Sequence, residues 1–329
     1  MQKDSSVDEN PRWALAGRID SRVSLGKAQI KIDAIRYTHP KLGAVMGSSS
    51  SLDDSEPKAR YELLERIWLV EHLLKVPLKS YKVRLPDSGK EVSSLDRSQV
   101  FAASRPGFRV VESNGVALHE SWSAACRAAA LELLERHLVL ESFRGRIKPQ
   151  LVDPSMSLFP QLSFEDIYQS STYSLGSQMT DSFRDPMYVA AAFLEPKDPD
   201  KVHQICAFGA GFTLKDAVFK AECEALQRYA FLCESPIPSE ATYEASASFH
   251  QAYHLVPANH WVIKSWLDGK LFNGLSYVPT CIRLKFIDLT LVSDLDYFLA
   301  KAISEDIKPL EWGAERLDEI TNPLVHPIP

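Results

Sequence analysis

The 329 residues carry 45% hydrophobic and 24% charged side chains, which excludes a disordered or fibrous chain and allows a substantial core. A net charge of −6 and a pI near 5.9 exclude neutralisation of nucleic-acid phosphates as the main task, and the basic cluster Arg144, Arg146 and Lys148 reads as a solvated helix end. The longest apolar run, Met187 to Leu194, is under half of the roughly 20 residues a membrane span needs. The polar, acidic opening MQKDSSVDEN lacks the features of a signal peptide, and five scattered cysteines without a CxxC pair suit a reduced, cytoplasmic protein.

Residues 1–22 read as an N-terminal tail and 23–329 as a single catalytic domain. Val23 to Tyr37 alternates apolar and polar residues and predicts a strand; GSSSSLDDSEP, Gly47 to Pro57, predicts the loop entering a helix from Pro57 to about Lys75. Phe108 to Val116 reads as a strand running into an Asn-Gly turn, followed by a helix from Glu120 to Ser142. Tyr188 to Glu195 and Val202 to Phe208, joined by PKDPD, predict an antiparallel hairpin, and a glycine turn at Gly209 to Gly211 leads to a helix over Leu214 to Cys233.

Weaker patterns predict a helix at Ala245 to Leu255, a strand at Thr280 to Ile287 and a helix at Ser293 to Glu305. His250 and His254 share a face of the first of these; with no third ligand nearby in sequence, they read as polar residues on an exposed helix. Hairpins with interposed helices, and no regular βαβ units, predict an α+β fold with mostly antiparallel sheet.

The most informative feature is internal: ELLERIWLVE, Glu62 to Glu71, recurs as ELLERHLVLE, Glu132 to Glu141, and a third version appears as EALQR, Glu224 to Arg228. On a helix, positions i, i+3 and i+4 share a face, so each segment presents two oxygen-bearing side chains and a guanidinium together. One copy would be an ordinary amphipathic helix. Three copies, two of them following apparent turns, favour a polyanion held through Mg2+, which takes oxygen ligands, with Arg clamping phosphate oxygens. No GxxxxGK[ST] loop, complete dinucleotide fingerprint or GxSxG elbow is present.

These segments resemble the YcaO superfamily over roughly Gly47 to Tyr229. SNGVALHESWSAACRAAALELLERH, Ser113 to His137, is similar to the family's SNG turn and ExxER helix; GAGFTLKDAVFKAECEALQRY, Gly209 to Tyr229, to its glycine turn and AxxEAxQ helix; Ala59 to Arg66 keeps ExxER. The resemblance implies that Glu62, Glu65, Glu132 and Glu135 hold Mg2+ and ATP phosphates, with Arg66, Arg136, Glu224 and Gln227 completing the nucleotide site. This chain departs from the family pattern at Ser48, Lys58, Glu120, Ala124, Lys220 and Tyr229.

The ending NPLVHPIP resembles the PxPxP tail of azoline-forming members, with Val325 at the first proline, which would bring the carboxylate of Pro329 into the active site. The implied reaction is ATP-dependent cyclodehydration: a Cys, Ser or Thr of a ribosomal precursor peptide attacks the preceding carbonyl, the oxyanion is phosphorylated, and phosphate leaves to give a thiazoline or oxazoline. Arg136 would stabilise charge in that step. The implied partners are the precursor peptide, a ThiF-like leader-binding protein and a flavin-dependent azoline oxidase, with a homodimer inside a larger complex and no nucleic acid or membrane. Rival implications are thioamidation with a TfuA-like partner, or a degenerate scaffold that binds peptide without turning over ATP.

Overall fold

The computed structural model describes residues 13–51, 56–74, 78–271, 280–291, 297–313 and 325–328. Its first alternating stretch is a hairpin, not one strand. Gly26, at φ 55°, reverses the chain between β1 (Ala14–Leu25) and β2 (Ala28–His39), so residues 14–22, read from sequence as tail, are half of an antiparallel pair. β3 (Gly43–Ser51) completes this sheet and takes up the first part of the expected Gly47 loop. α1 (Glu56–Leu74) follows, close to the expected helix.

Next come β4 (Ser80–Arg84), β5 (Glu91–Asp96), the single-turn α2 (Arg97–Val100), β6 (Arg109–Val110), β7 (Val116–His119) and α3 (Trp122–Phe143). The chain continues with β8 (Gln150–Leu151), β9 (Tyr168–Gln178), β10 (Met187–Pro196), β11 (Ile205–Gly211), α4 (Leu214–Leu232), α5 (Ala247–Leu255) and α6 (His260–Leu267). β12 (Lys285–Asp288), β13 (Phe298–Ile303) and β14 (Glu311–Trp312) close the order. The β10–β11 hairpin is as expected, and all ladders between these strands are antiparallel, in sheets ordered β1-β2-β3, β11-β10-β9-β8, β5-β4-β12-β13-β7 and β14-β6. This is the α+β, mostly antiparallel fold that the sequence predicts.

Of the helix expected at Ser293 to Glu305, residues 298–303 are instead β13, and 293–296 lie outside the described residues. Phe298 to Ile303 runs between β12 and β7 and buries Leu299, Ala300 and Ala302 completely, so pairing on both edges overrides a helical residue pattern.

α3 lies between two sheets, packing on β7 and β13 and also against β9, β10 and β11. Its sequence suits that place: Ala125, Cys126, Ala129, Ala130 and Leu134 are fully buried, and small side chains let both sheets approach. Ser121 caps its first turn, accepting from the N–H of Ala124 at 3.3 Å, so Glu120 stands just before the helix and not in it. α1 packs on β3, and α4 on β11 and β10 while also reaching β3.

Both outer helices sit unusually close to their strands because of glycine. A Cβ on Gly47 would stand 2.1 Å from the Ala59 carbonyl oxygen on α1, and one on Gly209 2.3 Å from the Ala221 nitrogen on α4. Gly209 to Gly211 is therefore strand, not a turn: its glycines admit a helix.

His250 and His254 are buried, 1% and 8% exposed, contrary to the surface pair that the sequence suggests. The His250 ring accepts from the Gly313 N–H and bonds the His326 carbonyl, while His254 bonds the Val325 carbonyl at 2.8 Å. Paired with backbone groups through both nitrogens of His250 and Nε2 of His254, these rings fasten residues 325–328, whose Val325 and Ile328 fill the core beside α3.

Candidate functional site

β7 is the spine of the site. Its backbone faces both ExxER helices: the N–H of Leu118 donates to Glu65 Oε2 on α1 at 3.3 Å, and the N–H of Val116, which donates to the Ser113 carbonyl at 3.1 Å, favours the charged form of Glu132 on α3. From the other side, the N–H of Ser48 on β3 donates to Glu62 Oε2 at 2.7 Å. Glu62 and Glu65 are thus oriented by main chain, which cannot change rotamer.

The carboxylates feel one another. Glu65 is held well above the usual carboxylate range by burial first, and then by the charges of Glu132 and Glu62. Burial, opposed by Arg136 and raised further by Glu132 and Glu224, pushes Glu135 up to about 7. Glu62 and Glu132 are also raised by burial, Glu62 in part by Glu224 and with opposition from Arg66, the Ser48 N–H and Lys58. The structure thus brings Glu62, Glu65, Glu132, Glu135 and Glu224 of three helices into one field. Gln227 is one turn beyond Glu224 on α4.

Counter-charges lie at the edges. Arg66 pairs with Glu62, and Arg136 Nη2 with Glu132 at 3.0 Å, leaving the buried Nε of Arg136 without a hydrogen-bond partner among the described residues. Lys301, 5% exposed on β13, is a charged group that sequence reading missed; facing Glu132 and Glu112, its ammonium is pulled down by burial to about 8. No motif surrounds it in sequence, and only the pairing of β13 with β7 brings it here.

The departures from the family pattern lie around the same region. Lys58 acts on Glu62, Lys220 donates to the Ala210 carbonyl at 2.9 Å while acting on Glu135, Glu120 accepts from the Tyr61 hydroxyl, and Tyr229 donates to the Ser24 carbonyl at 3.4 Å. Pro329 lies outside the described residues. Glu222 shows what a structural carboxylate on α4 looks like: fully buried, it accepts from Ser157 Oγ, Thr172 Oγ1 and the Leu158 N–H. The ExxER carboxylates are half-buried, crowded by like charge, and have fewer donors.

Such a cluster calls for a cation, and the Arg136 guanidinium beside it can donate to an anion. Carboxylates suit Mg2+, which takes one or two of them and completes its shell with water and phosphate oxygens. The orphaned Arg136 Nε fits a phosphate oxygen.

Comparison with known proteins decides the family. Residues 96–302 match the sequence model described as YcaO cyclodehydratase, ATP- and Mg2+-binding. The chain belongs to the YcaO family. ATP and Mg2+ are accordingly its nucleotide and ion, and α1, outside the matched span, brings Glu62 and Glu65 beside Glu132 of α3. No curated protein matches.

Among solved structures, YcaO from Methanopyrus kandleri bound with AMPPCP and Mg2+ is 14% identical, with a TM-score of 0.58 over 88% of this chain and 85% of that one. The E. coli microcin synthetase McbBCD complex is 12% identical, with a TM-score of 0.58 over 88% of each chain. A heterocyclase in complex with substrate and cofactor is 14% identical, with a TM-score of 0.55 over 90% of this chain and 50% of that one. At these identities the likeness is one of YcaO fold. Among the described residues, no helix is long and apolar enough to cross a membrane.

Proposed function

We propose that this YcaO protein is a peptide cyclodehydratase that converts Cys, Ser or Thr of a ribosomal precursor peptide to thiazoline or oxazoline. The observation that carries the reading is the convergence of two ExxER helices on one strand, β7, with Glu224 of α4 acting on the same carboxylates. Glu62, Glu65, Glu132 and Glu135 hold Mg2+; Arg66, Arg136, Glu224 and Gln227 bind and orient the nucleotide. Bound Mg-ATP supplies the phosphoryl group that lets an amide oxygen depart as phosphate.

The residues' part is positioning and charge. In the ring-forming step the peptide's side-chain sulfur or oxygen bonds to the preceding carbonyl carbon, so no enzyme nucleophile is needed. Arg136 Nε, buried and aimed from α3, stabilises negative charge beside the carboxylates. The α1 carboxylates hold their places because their own oxygens are tied to β3 and β7.

We assign Pro329 a place at the active site; the burial of Val325 and Ile328 supports a segment held against the domain. The chain from β1 onward acts as one catalytic domain. Partners are a precursor peptide, a ThiF-like leader-binding protein and a flavin-dependent azoline oxidase around a homodimer. The microcin synthetase complex solved with pro-MccB17 bound, 11% identical with a TM-score of 0.56, supports a peptide and partner proteins in general. The free cysteines among the described residues suit a reducing cytoplasm.

The test is to co-express the chain with precursor peptides and leader-binding proteins encoded beside it and to weigh the peptide. Loss of one water per modified residue, dependent on ATP, is expected. Replacement of oxygen by sulfur would instead give the thioamide reading, and an unchanged peptide with no nucleotide binding the scaffold reading.

A further inference from the structure

A lysine is rarely buried, because removing its ammonium from water costs several kcal/mol unless strong partners compensate. Lys301 is 5% exposed, and its partners are specific. Nζ donates to the Glu112 carbonyl at 2.7 Å and to the Asn114 carbonyl at 2.9 Å, and lies 5.7 Å from the centre of the Phe101 ring. Both carbonyls belong to the turn that carries Ser113-Asn114-Gly115.

The same turn is gripped elsewhere by β13. The Ala302 N–H donates to the Gly115 carbonyl at 2.8 Å, and Lys301 is the register partner of Val116. Gly115, at φ 70°, has no room for a side chain: a Cβ would stand 2.7 Å from the Ala302 carbonyl and 3.2 Å from Leu133 Cβ on α3. Turn, β13 and α3 are therefore in one fixed register, and β7 leaves the turn with its Val116 N–H on the Ser113 carbonyl at 3.1 Å and its Leu118 N–H on Glu65 Oε2.

We infer that Lys301 is a positioning residue for the nucleotide site: by clamping the two turn carbonyls it fixes β7, whose Leu118 N–H orients Glu65, and it holds its own charge towards Glu132. The inference rests on the reading of those carboxylates as the Mg-ATP site. A lysine suits the task because a single Nζ can donate to both carbonyls while its charge faces Glu132.

Removing groups that orient metal ligands typically costs about 10- to 100-fold in metal affinity. Lys301→Met keeps the apolar stem and loses both hydrogen bonds; Lys301→Gln keeps a donor. The full chain of each is titrated with Mg2+ at fixed ATP, and amide exchange of Val116 and Leu118 is followed without ligand. Lys301→Met is expected to weaken Mg-dependent ATP binding about tenfold or more and to speed exchange at Leu118, with Lys301→Gln recovering part of both.

If Lys301→Met binds Mg-ATP as wild type does and leaves Leu118 protected, Lys301 is not the clamp, while the site itself stands. If the wild-type chain fails to bind Mg-ATP, the site reading falls, and the exchange data alone still decide whether Lys301 orders β7. Should Lys301→Met not fold, the Lys301→Gln titration decides: unaltered binding and protection overturn the inference, and partial loss of both upholds it.

Discussion

The backbone N–H of Ser48 lies 2.7 Å from Glu62 Oε2, and it reaches that oxygen because its neighbour, Gly47, has no side chain. Strand and helix meet at Ala59 and Leu63, where an added methyl would overlap main chain that cannot swing aside. Gly47→Ala is expected to push α1 outward, costing about 1 to 3 kcal/mol, as overpacking does, and to weaken Mg-ATP binding together with it. Thermal unfolding and a nucleotide titration check the pair; a destabilised variant with wild-type binding would show that the Ser48–Glu62 bond is not part of the site.

Glu135 predicts an unusual pH response of the metal-free protein. Its folded pKa, pushed up to about 7, lies above the ordinary carboxylate value, so the folded state takes a proton more readily than the unfolded chain. The stabilisation is complete below the unfolded pKa and disappears as pH rises through about 7. Wild type should therefore lose stability between pH 5 and 8 relative to Glu135→Gln, and Mg2+ with ATP should offset the loss. Parallel stability curves for the two proteins would contradict the crowding of charge described above.

Arg136 should not tolerate the usual exchange of one cation for another. Lysine keeps the charge but not the Nε donor that stands buried and unpartnered, nor the planar fork. Arg136→Lys is expected to bind ATP about tenfold more weakly, which is roughly 1.4 kcal/mol, with little change in thermal midpoint. Equal affinities would remove Arg136 from the nucleotide site.

Histidines packed around residues 325–328 give the opposite pH slope. Burial pushes His254 and His326 down to about 3, with His250 and, for His254, Arg228 facing them as further cations. Both are neutral in the fold, so they contribute stability above the unfolded value near 6.5 that is lost as pH falls. His254→Gln/His326→Gln should lose less stability than wild type between pH 7.5 and 4.5, measured by urea unfolding. A steeper loss in the variant would contradict the arrangement around residues 325–328.

The ExxER helices were legible because helix periodicity and charge spacing are local: Glu62, Glu65 and Arg66 share a face whatever α1 packs on. What escaped depends on contacts distant in sequence. Gly47 and Gly209 look like turn residues until a helix is seen lying on them, and the β1–β2 hairpin was taken for one strand because Gly26-Lys27 lies within an unbroken alternation. Ser293 to Glu305 carries a helical pattern that strand pairing overrides, and the buried roles of Lys301, His250 and His254 arise only when β13 meets β7 and when residues 325 and 326 meet α5. The family resemblance named the carboxylates; the fold shows what orients them.

The most direct measurement is calorimetric titration of ATP, with and without Mg2+, into the wild-type chain and a Glu132→Gln/Glu135→Gln variant, with thermal unfolding to confirm that both are folded. The account predicts Mg-dependent binding to wild type and its loss in a folded variant. Binding that is unaffected by the double substitution, or that needs no Mg2+, would contradict a nucleotide site built on the carboxylates of α1, α3 and α4.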